Sequence, residues 1–266
     1  MLLYANGCSM TYGAELVDDN DHDPMRQRYR EDHSWPARLG DFLDADRVVN
    51  EAVISGSNDR IVRTTIDWLS EHAESVGEGQ LLVVIGWSGA MRREFYVDGE
   101  FRQVIPYQPH RHPDVQRLTD VYREVAWNDR ECGARLATQL LSLQSFLWLH
   151  RIPYLFFDAI ESSFDSLGRA GLAERGTTRL VDRSRFYRFG DADGSMADVL
   201  RAAGTGWKGR HPAEDGHETW AHRLAAHIVS GRLLRRPTAA SAAPPSGPAF
   251  TRRRVFRSAN RDFLYP

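Results

Sequence analysis

The chain has 266 residues, a net charge of −2, and 42% hydrophobic and 26% charged residues, a profile of a soluble globular protein with room for one substantial α/β domain plus an extension. That balance carries no nucleic-acid signature. No apolar run reaches the eighteen or so residues that a membrane span needs, so neither nucleic acid nor a membrane is expected as a partner.

Two cysteines, Cys8 and Cys132, are too few for a disulfide framework, and the start of the chain is not leader-like, so the expected compartment is the cytoplasm. The opening apolar run Leu2-Leu3-Tyr4-Ala5 breaks into Asn6-Gly7-Cys8-Ser9-Met10-Thr11-Tyr12-Gly13. This reads as a buried strand delivering a small-residue loop at its carboxyl end, where open α/β sheets bind ligands. Ser9 in that loop is placed as a nucleophile is, given a base from elsewhere in the chain; an ordinary strand exit is the alternative. Glu15 to His33 is polar, with an oxygen-rich cluster from Asp18 to Asp23 that matches no EF-hand spacing, and reads as a surface loop forming a rim or lid. Ser34 then caps a helix with Pro36 in its first turn and Trp35, Leu39, Phe42 and Leu43 at helical spacing.

Val48 to Val53 reads as a second strand, ending in Ile54-Ser55-Gly56-Ser57-Asn58-Asp59. From that loop Ile61, Thr64, Thr65, Trp68 and Leu69 run on as an amphipathic helix capped by Asn58 or Asp59. The third strand, Gln80 to Ile85, is almost wholly apolar, as a strand covered on both faces should be. It stops at Gly86-Trp87-Ser88-Gly89-Ala90. Three strands that end in three Gly/Ser loops argue for a site built on one sheet edge.

Arg92 to Pro113 reads as an insertion (about 92–113) with a hairpin turning on Asp98-Gly99; His110 and His112 within it lack a third ligand and are taken as surface chemistry, with no metal site. Helices follow over Asp114 to Trp127 and Glu131 to His150, the latter with Leu136, Leu140, Leu143 and Leu147, and then a strand over Ile152 to Asp158. Ala159 to Asp193 resists assignment. Met196 to Ala203 reads as a short helix, Gly204 to Arg210 as a loop, and His211 to His217 as the lead into a last helix with Trp220, Leu224, Ala225 and Ile228 on one face. The main domain is expected over 1–232. Residues 233–266 form an Ala/Ser/Pro-rich linker, Pro237 to Pro248, and a basic arm, Thr251 to Arg257. The arm is expected either to dock on its own body, to join a neighbouring subunit in a homo-oligomer, or to stay a disordered tail.

Gly7-Cys8-Ser9 with Thr11-Tyr12-Gly13, the Asn50 to Asn58 loop, the Gly86 to Ser88 loop and the late His211-Pro212 together resemble the SGNH/GDSL hydrolase superfamily, over about Met1 to Ser230, in a branch with a Gly-Cys-Ser-x-Thr-Tyr-Gly opening. The resemblance implies a three-layer α/β/α flavodoxin-like fold with a parallel central sheet. It implies a serine-dependent ester or acyl hydrolase, or an acyltransferase, acting on a small-molecule substrate with no cofactor or metal. By position it makes Ser9 the nucleophile and His211 its base. It makes the Ser9 N–H, Gly56 or the adjacent Ser55, and Ser88 the oxyanion hole.

The chain departs from the family's pattern at three places. Lys208 stands where an Asp should orient the histidine, leaving Asp191, Asp193, Asp215 or a bare Ser-His dyad as alternatives. Ser88 replaces an Asn, and Cys8 replaces an Asp. Cys8 is read as a small buried residue rather than a thiol nucleophile, His217 as a residue packing the last helix, and His222 and His227 as surface or interface residues. Two competing readings stand beside hydrolysis: a catalytically degenerate binding or assembly protein, and a biosynthetic lyase or cyclase using the same site.

Overall fold

In the computed structural model, which describes residues 1–20, 23–76, 80–173, 176–191, 193–234 and 255–256, the apolar runs become parallel strands and the amphipathic runs become the helices that cover them. The elements are β1 (Leu2–Asn6), α1 (Ser9–Tyr12), α2 (Pro24–His33), α3 (Trp35–Phe42), β2 (Arg47–Asn50), α4 (Asn58–Val76), β3 (Leu81–Trp87), β4 (Arg93–Val97) and β5 (Glu100–Val104). They continue with α5 (Pro113–Val121), α6 (Asp129–Leu149), β6 (Tyr154–Asp158), α7 (Ser163–Arg169), α8 (Met196–Ala202), β7 (Trp207–Lys208), β8 (His211–Pro212), α9 (Glu214–Ser230) and β9 (Val255–Phe256).

The main sheet has the order β6-β3-β1-β2-β9 with every pairing parallel. Side chains alternate across it with period two. Leu3, Ala5, Leu82, Val84, Leu155 and Phe157 face one core with Trp35 and Leu39 of α3, Leu200 of α8 and Trp220, Leu224 and Ile228 of α9. Leu2, Tyr4, Leu81, Val83, Ile85 and Phe156 face the other, with Ile61, Trp68 and Leu69 of α4 and Leu136, Leu140, Leu143 and Leu147 of α6. The result is the expected α/β/α sandwich. Ring packing locks the first layer: Phe157 sits edge-on between Trp35 (5.3 Å) and Trp220 (5.1 Å), each of these side chains stabilising the fold by roughly 2–3 kcal/mol through burial.

Several segments depart from the sequence reading. The polar stretch before Ser34 contains a helix, α2, because Asp23 caps it by accepting from Met25 N–H and Pro24 starts it; Asp21 and His22 lie outside the described residues. Ser34 precedes α3 without a side-chain cap, its hydroxyl donating instead to Glu31 O (3.1 Å). The helix expected to Trp127 ends at Val121 and continues as a π-helical turn, Tyr122–Ala126. Within 159–193 a helix forms after all, α7, capped by Ser162. The 204–210 loop contains a strand, β7, paired with β8 in a small hairpin, Lys208 opposite His211. The Asp98-Gly99 turn is as expected, with φ of 51° and 84° at its two residues joining β4 to β5. Of the C-terminal arm, Val255 and Phe256 pair with Val49 and Asn50 as the sheet's outer strand; the linker 237–248 lies outside the described residues.

Candidate active site

The site grows from the carboxyl ends of the strands. β1 passes through Gly7 and Cys8 directly into the single turn α1. A Cβ on Gly7 would stand 2.2 Å from Thr11 Oγ1 and one on Gly86 2.8 Å from the same oxygen, so α1 can seat against the sheet end only because both positions are glycine. Cys8 is fully buried, as expected, and precedes α1 in extended conformation. Ser9 opens α1 and is 4% exposed; its N–H is one of the first-turn donors that a helix leaves without an intrahelical acceptor.

Gly13 closes α1 in left-handed conformation (φ 83°), and Glu15 follows at φ 65°, a conformation that few non-glycine residues adopt. Its N–H donates to Asp19 Oδ1 (3.2 Å). This bend turns Glu15 onto the β7–β8 hairpin. There Glu15 Oε2 accepts from the Arg210 N–H (2.9 Å) and lies 3.2 Å from His211 Nδ1, a contact set off the line of a hydrogen bond that becomes an ion pair when His211 takes a proton. Gly209 makes room for it, since a Cβ there would fall 2.6 Å from Glu15 Oε2. The carboxylate at His211 is therefore Glu15, six residues after Ser9.

The expected carboxylates are elsewhere, and all three are exposed. Asp191 accepts from Arg188 Nε (2.8 Å) and Asp215 from the Gly206 N–H (2.8 Å), while Asp193 lies on the exposed turn beside them in sequence. Lys208 sits opposite His211 in the hairpin, yet its ammonium turns away to donate to Leu16 O (3.2 Å). Directly paired residues of an antiparallel hairpin share a face, so what keeps the ammonium off the ring is its bond to Leu16 O and not the pleat.

Ser9 and His211 line one cavity of about 420 Å³, together with Arg92, Trp207 and Arg210. His211 is 9% exposed. Burial is the main cause holding its pKa below the ordinary histidine value; Glu15 pulls it back up, and Arg92 and Arg210 push it down. The imidazole is thus neutral at neutral pH, the state a base requires. A larger cavity of about 920 Å³ is lined by Glu15, Asp18, Asp19, Tyr29 and Lys208, so the polar stretch lines a cavity of its own, whereas the cavity of Ser9 and His211 has no lining residue from it. Burial raises the Asp19 carboxyl to about 6.

The expected oxyanion donors are differently disposed. Gly56 N–H donates to Val53 O (3.2 Å), next to Ser55 at φ 62°, and a Cβ on Gly56 would meet Gly7 O at 2.8 Å. Ser88 N–H donates to Asn58 Oδ1 (2.8 Å), and Asn58 Nδ2 returns a bond to Ser88 O (3.0 Å). Ser88 Oγ is buried without a partner among the described residues. Asn58 thus serves as a clamp between the second and third loops and not as the helix cap expected of it or of Asp59: α4 begins at Asn58, and Ser57 Oγ accepts the first-turn Arg60 N–H (3.3 Å). Asn50 does the same for the first two loops by donating to Thr11 O (3.0 Å).

His217 packs rather than reacts: its Nδ1 accepts from Trp35 N–H (3.2 Å), tying α9 to α3, and burial drives its pKa down to about 3. His222 packs on Phe42 and His227 on Tyr187. On the insertion, Asp98 and Asp114 approach His112, their ligand atoms all within 4.8 Å, a grouping that the sequence alone did not connect.

The chain belongs to a family of unknown function, DUF6071, whose model matches residues 14–244. No curated protein matches it in sequence. Among solved structures it is similar to TesA (15% identity, 88% of this chain and 100% of that chain, TM-score 0.44). It is also similar to the psychrotrophic esterase EstA from Pseudoalteromonas sp. (9%, 86% and 97%, TM-score 0.46). A third is a member of the lipolytic protein G-D-S-L family from Veillonella parvula DSM 2008 (11%, 86% and 97%, TM-score 0.41). No helix among the described residues is long and apolar enough to cross a membrane.

Proposed function

We propose that the protein is a serine-dependent acyl hydrolase or acyltransferase of the SGNH type, with Ser9 as nucleophile, His211 as base and Glu15 as the carboxylate that orients His211. The observation that carries this reading is the Glu15 to His211 contact at 3.2 Å in a hairpin whose imidazole shares a cavity with Ser9. With Nδ1 held by Glu15, Nε2 is the ring nitrogen left to take a proton. Ser9 Oγ gives its proton to Nε2 and bonds to the carbonyl carbon of an ester or amide. The tetrahedral oxyanion collapses, and His211 passes the proton to the departing alcohol or amine. Water or another acceptor alcohol then repeats the sequence on the acyl-Ser9 ester. The Ser9 N–H serves the oxyanion, and the burial of His211 keeps it neutral and ready.

A fluorophosphonate probe tests this. The wild-type chain should label at Ser9, Ser9→Ala should not, and His211→Ala should label far more slowly, with ester hydrolysis lost by about 10⁴-fold or more in both variants. Equal labelling of wild type and Ser9→Ala overturns the assignment. The engagement of the Gly56 and Ser88 N–H groups within the chain favours a second reading, an acyl-binding protein that retains the cavity and has lost the chemistry. Failure of wild type to label, with ligand still bound, would select it.

A further inference from the structure

Arg92 lines the cavity of Ser9 and His211 and takes no part in the proposed acyl-transfer step. It is 9% exposed, and its Nε and Nη1 have no hydrogen-bond partner among the described residues. Burying a guanidinium without a counter-charge is costly, and such groups are nearly always paired. Other buried or half-buried arginines of this chain follow that rule: Arg63 pairs with Glu94 (2.8 Å) and Arg93 with Glu131 (2.9 Å). Arg30, whose Nε and Nη1 also lack a hydrogen bond, differs from Arg92 in lying 3.9 Å from the Glu31 carboxylate and stacking over Tyr12 (3.6 Å).

Arg92 is also held firmly in place. Its N–H donates to Gly89 O (3.1 Å), and Arg135 clamps the same loop through Arg92 O (3.2 Å) and Ala90 O (2.8 Å). The cavity it faces is lined by two further arginines at its exposed mouth, Arg201 and Arg210, and by no Asp or Glu. Glu15 accepts the Arg210 backbone N–H and stands outside that lining. Asp198 stands 3.9 Å from Arg201, also outside the lining. A pocket around Ser9 and His211 whose lining carries arginines and no carboxylate is complementary to an anion, and a guanidinium fork suits a carboxylate or a phosphate.

We infer that Arg92 is the anchor for an anionic group, a carboxylate or phosphate, carried by the substrate of the Ser9–His211 site, with Arg201 and Arg210 drawing it to the mouth. This rests on the acyl-transfer reading for its use, and on Arg92 alone for its binding.

Two measurements separate those dependencies. In the first, full-length Ser9→Ala is titrated by calorimetry with succinate, with inorganic phosphate and with neutral succinamide. Succinate or phosphate should bind and succinamide should not, and Arg92→Gln in the same background should weaken anion binding roughly 10- to 100-fold, as expected for charged hydrogen bonds. Arg92→Lys should recover part of it. Which of the two anions binds more tightly identifies the group.

In the second, mono-(4-nitrophenyl) succinate is compared with 4-nitrophenyl butyrate on the Ser9-containing chain. The ratio of kcat/KM values should favour the anionic ester and should collapse in Arg92→Gln, whereas a merely structural role would lower both esters alike and leave the ratio unchanged. Binding without turnover would sink the catalytic reading and keep the anion site. Turnover with no anion preference and no anion binding would overturn the role of Arg92.

Discussion

Glu15 does three things at once: it accepts Arg210 N–H, faces His211 Nδ1 and adopts φ 65°. The left-handed backbone costs on the order of 1 kcal/mol, and its contact with the hairpin is what such a cost secures. Glu15→Gln keeps the shape and removes the charge. In the proposed mechanism kcat should fall about 10²-fold or more, because the imidazolium formed in the transition state loses its counter-charge and the ring its orientation. The pH profile gives a second check. Activity needs neutral His211, and Glu15 raises the His211 pKa, so the acidic limb, already below the ordinary histidine range, should move to still lower pH in the variant. A limb that stays in place, or moves up, would count against the pairing.

At the scale of elements, the three strand-end loops are tied into one platform by asparagines: Asn50 to Thr11 and Asn58 to the backbone N–H and C=O of Ser88. The last helix is tied in by His217, whose Nδ1 must stay unprotonated to accept from Trp35 N–H. Its folded pKa of about 3 lies below the ordinary 6.5. Below pH 6.5 the unfolded chain therefore binds a proton that the folded chain refuses. The contribution of His217 is fully present above about pH 6.5 and declines as pH falls toward 3, by up to about 1.4 kcal/mol per pH unit. Burial raises the Asp158 carboxyl to about 7, which gives an opposite slope, so the test is a difference. Urea unfolding of wild type and His217→Asn, whose Oδ1 can accept the same bond, should show a stability gap that narrows between pH 7 and pH 4.5. A constant gap would mean that His217 is not buried neutral.

For the whole molecule, β9 completes the sheet at β2. A strand edge left bare is a template for pairing with another chain. Removing residues 245–266 should therefore expose β2 and shift the protein toward dimers or larger species in light scattering. If the arm instead serves a neighbouring subunit, truncation will dissolve an oligomer that the full chain forms. The same deletion should leave fluorophosphonate labelling at Ser9 in place, since β9 lies beyond β2 while the Ser9 loop leaves β1.

Much of this was legible in the residues themselves. The strand-loop-helix rhythm, the two-faced burial of the sheet, the Asp98-Gly99 hairpin, the burial of Cys8 and the packing role of His217 follow from local rules: period two for strands, a helical face for helices, glycine where φ is positive. Those rules act over a few residues, so one sequence suffices to read them. Ser9 and His211, which line one cavity, were singled out through the order of short blocks. Glu15 and Arg92 were not, and the reason is physical. What meets an imidazole is decided by where two separate loops bend, here the left-handed turn at Glu15 and the bare Cα of Gly209. Whether a guanidinium is paired is decided by the surrounding shells of at least three elements. Chain spacing holds neither quantity, and only the tertiary structure brings residue 15 to residue 211 and leaves residue 92 lining the cavity of residue 211 without a carboxylate of its own.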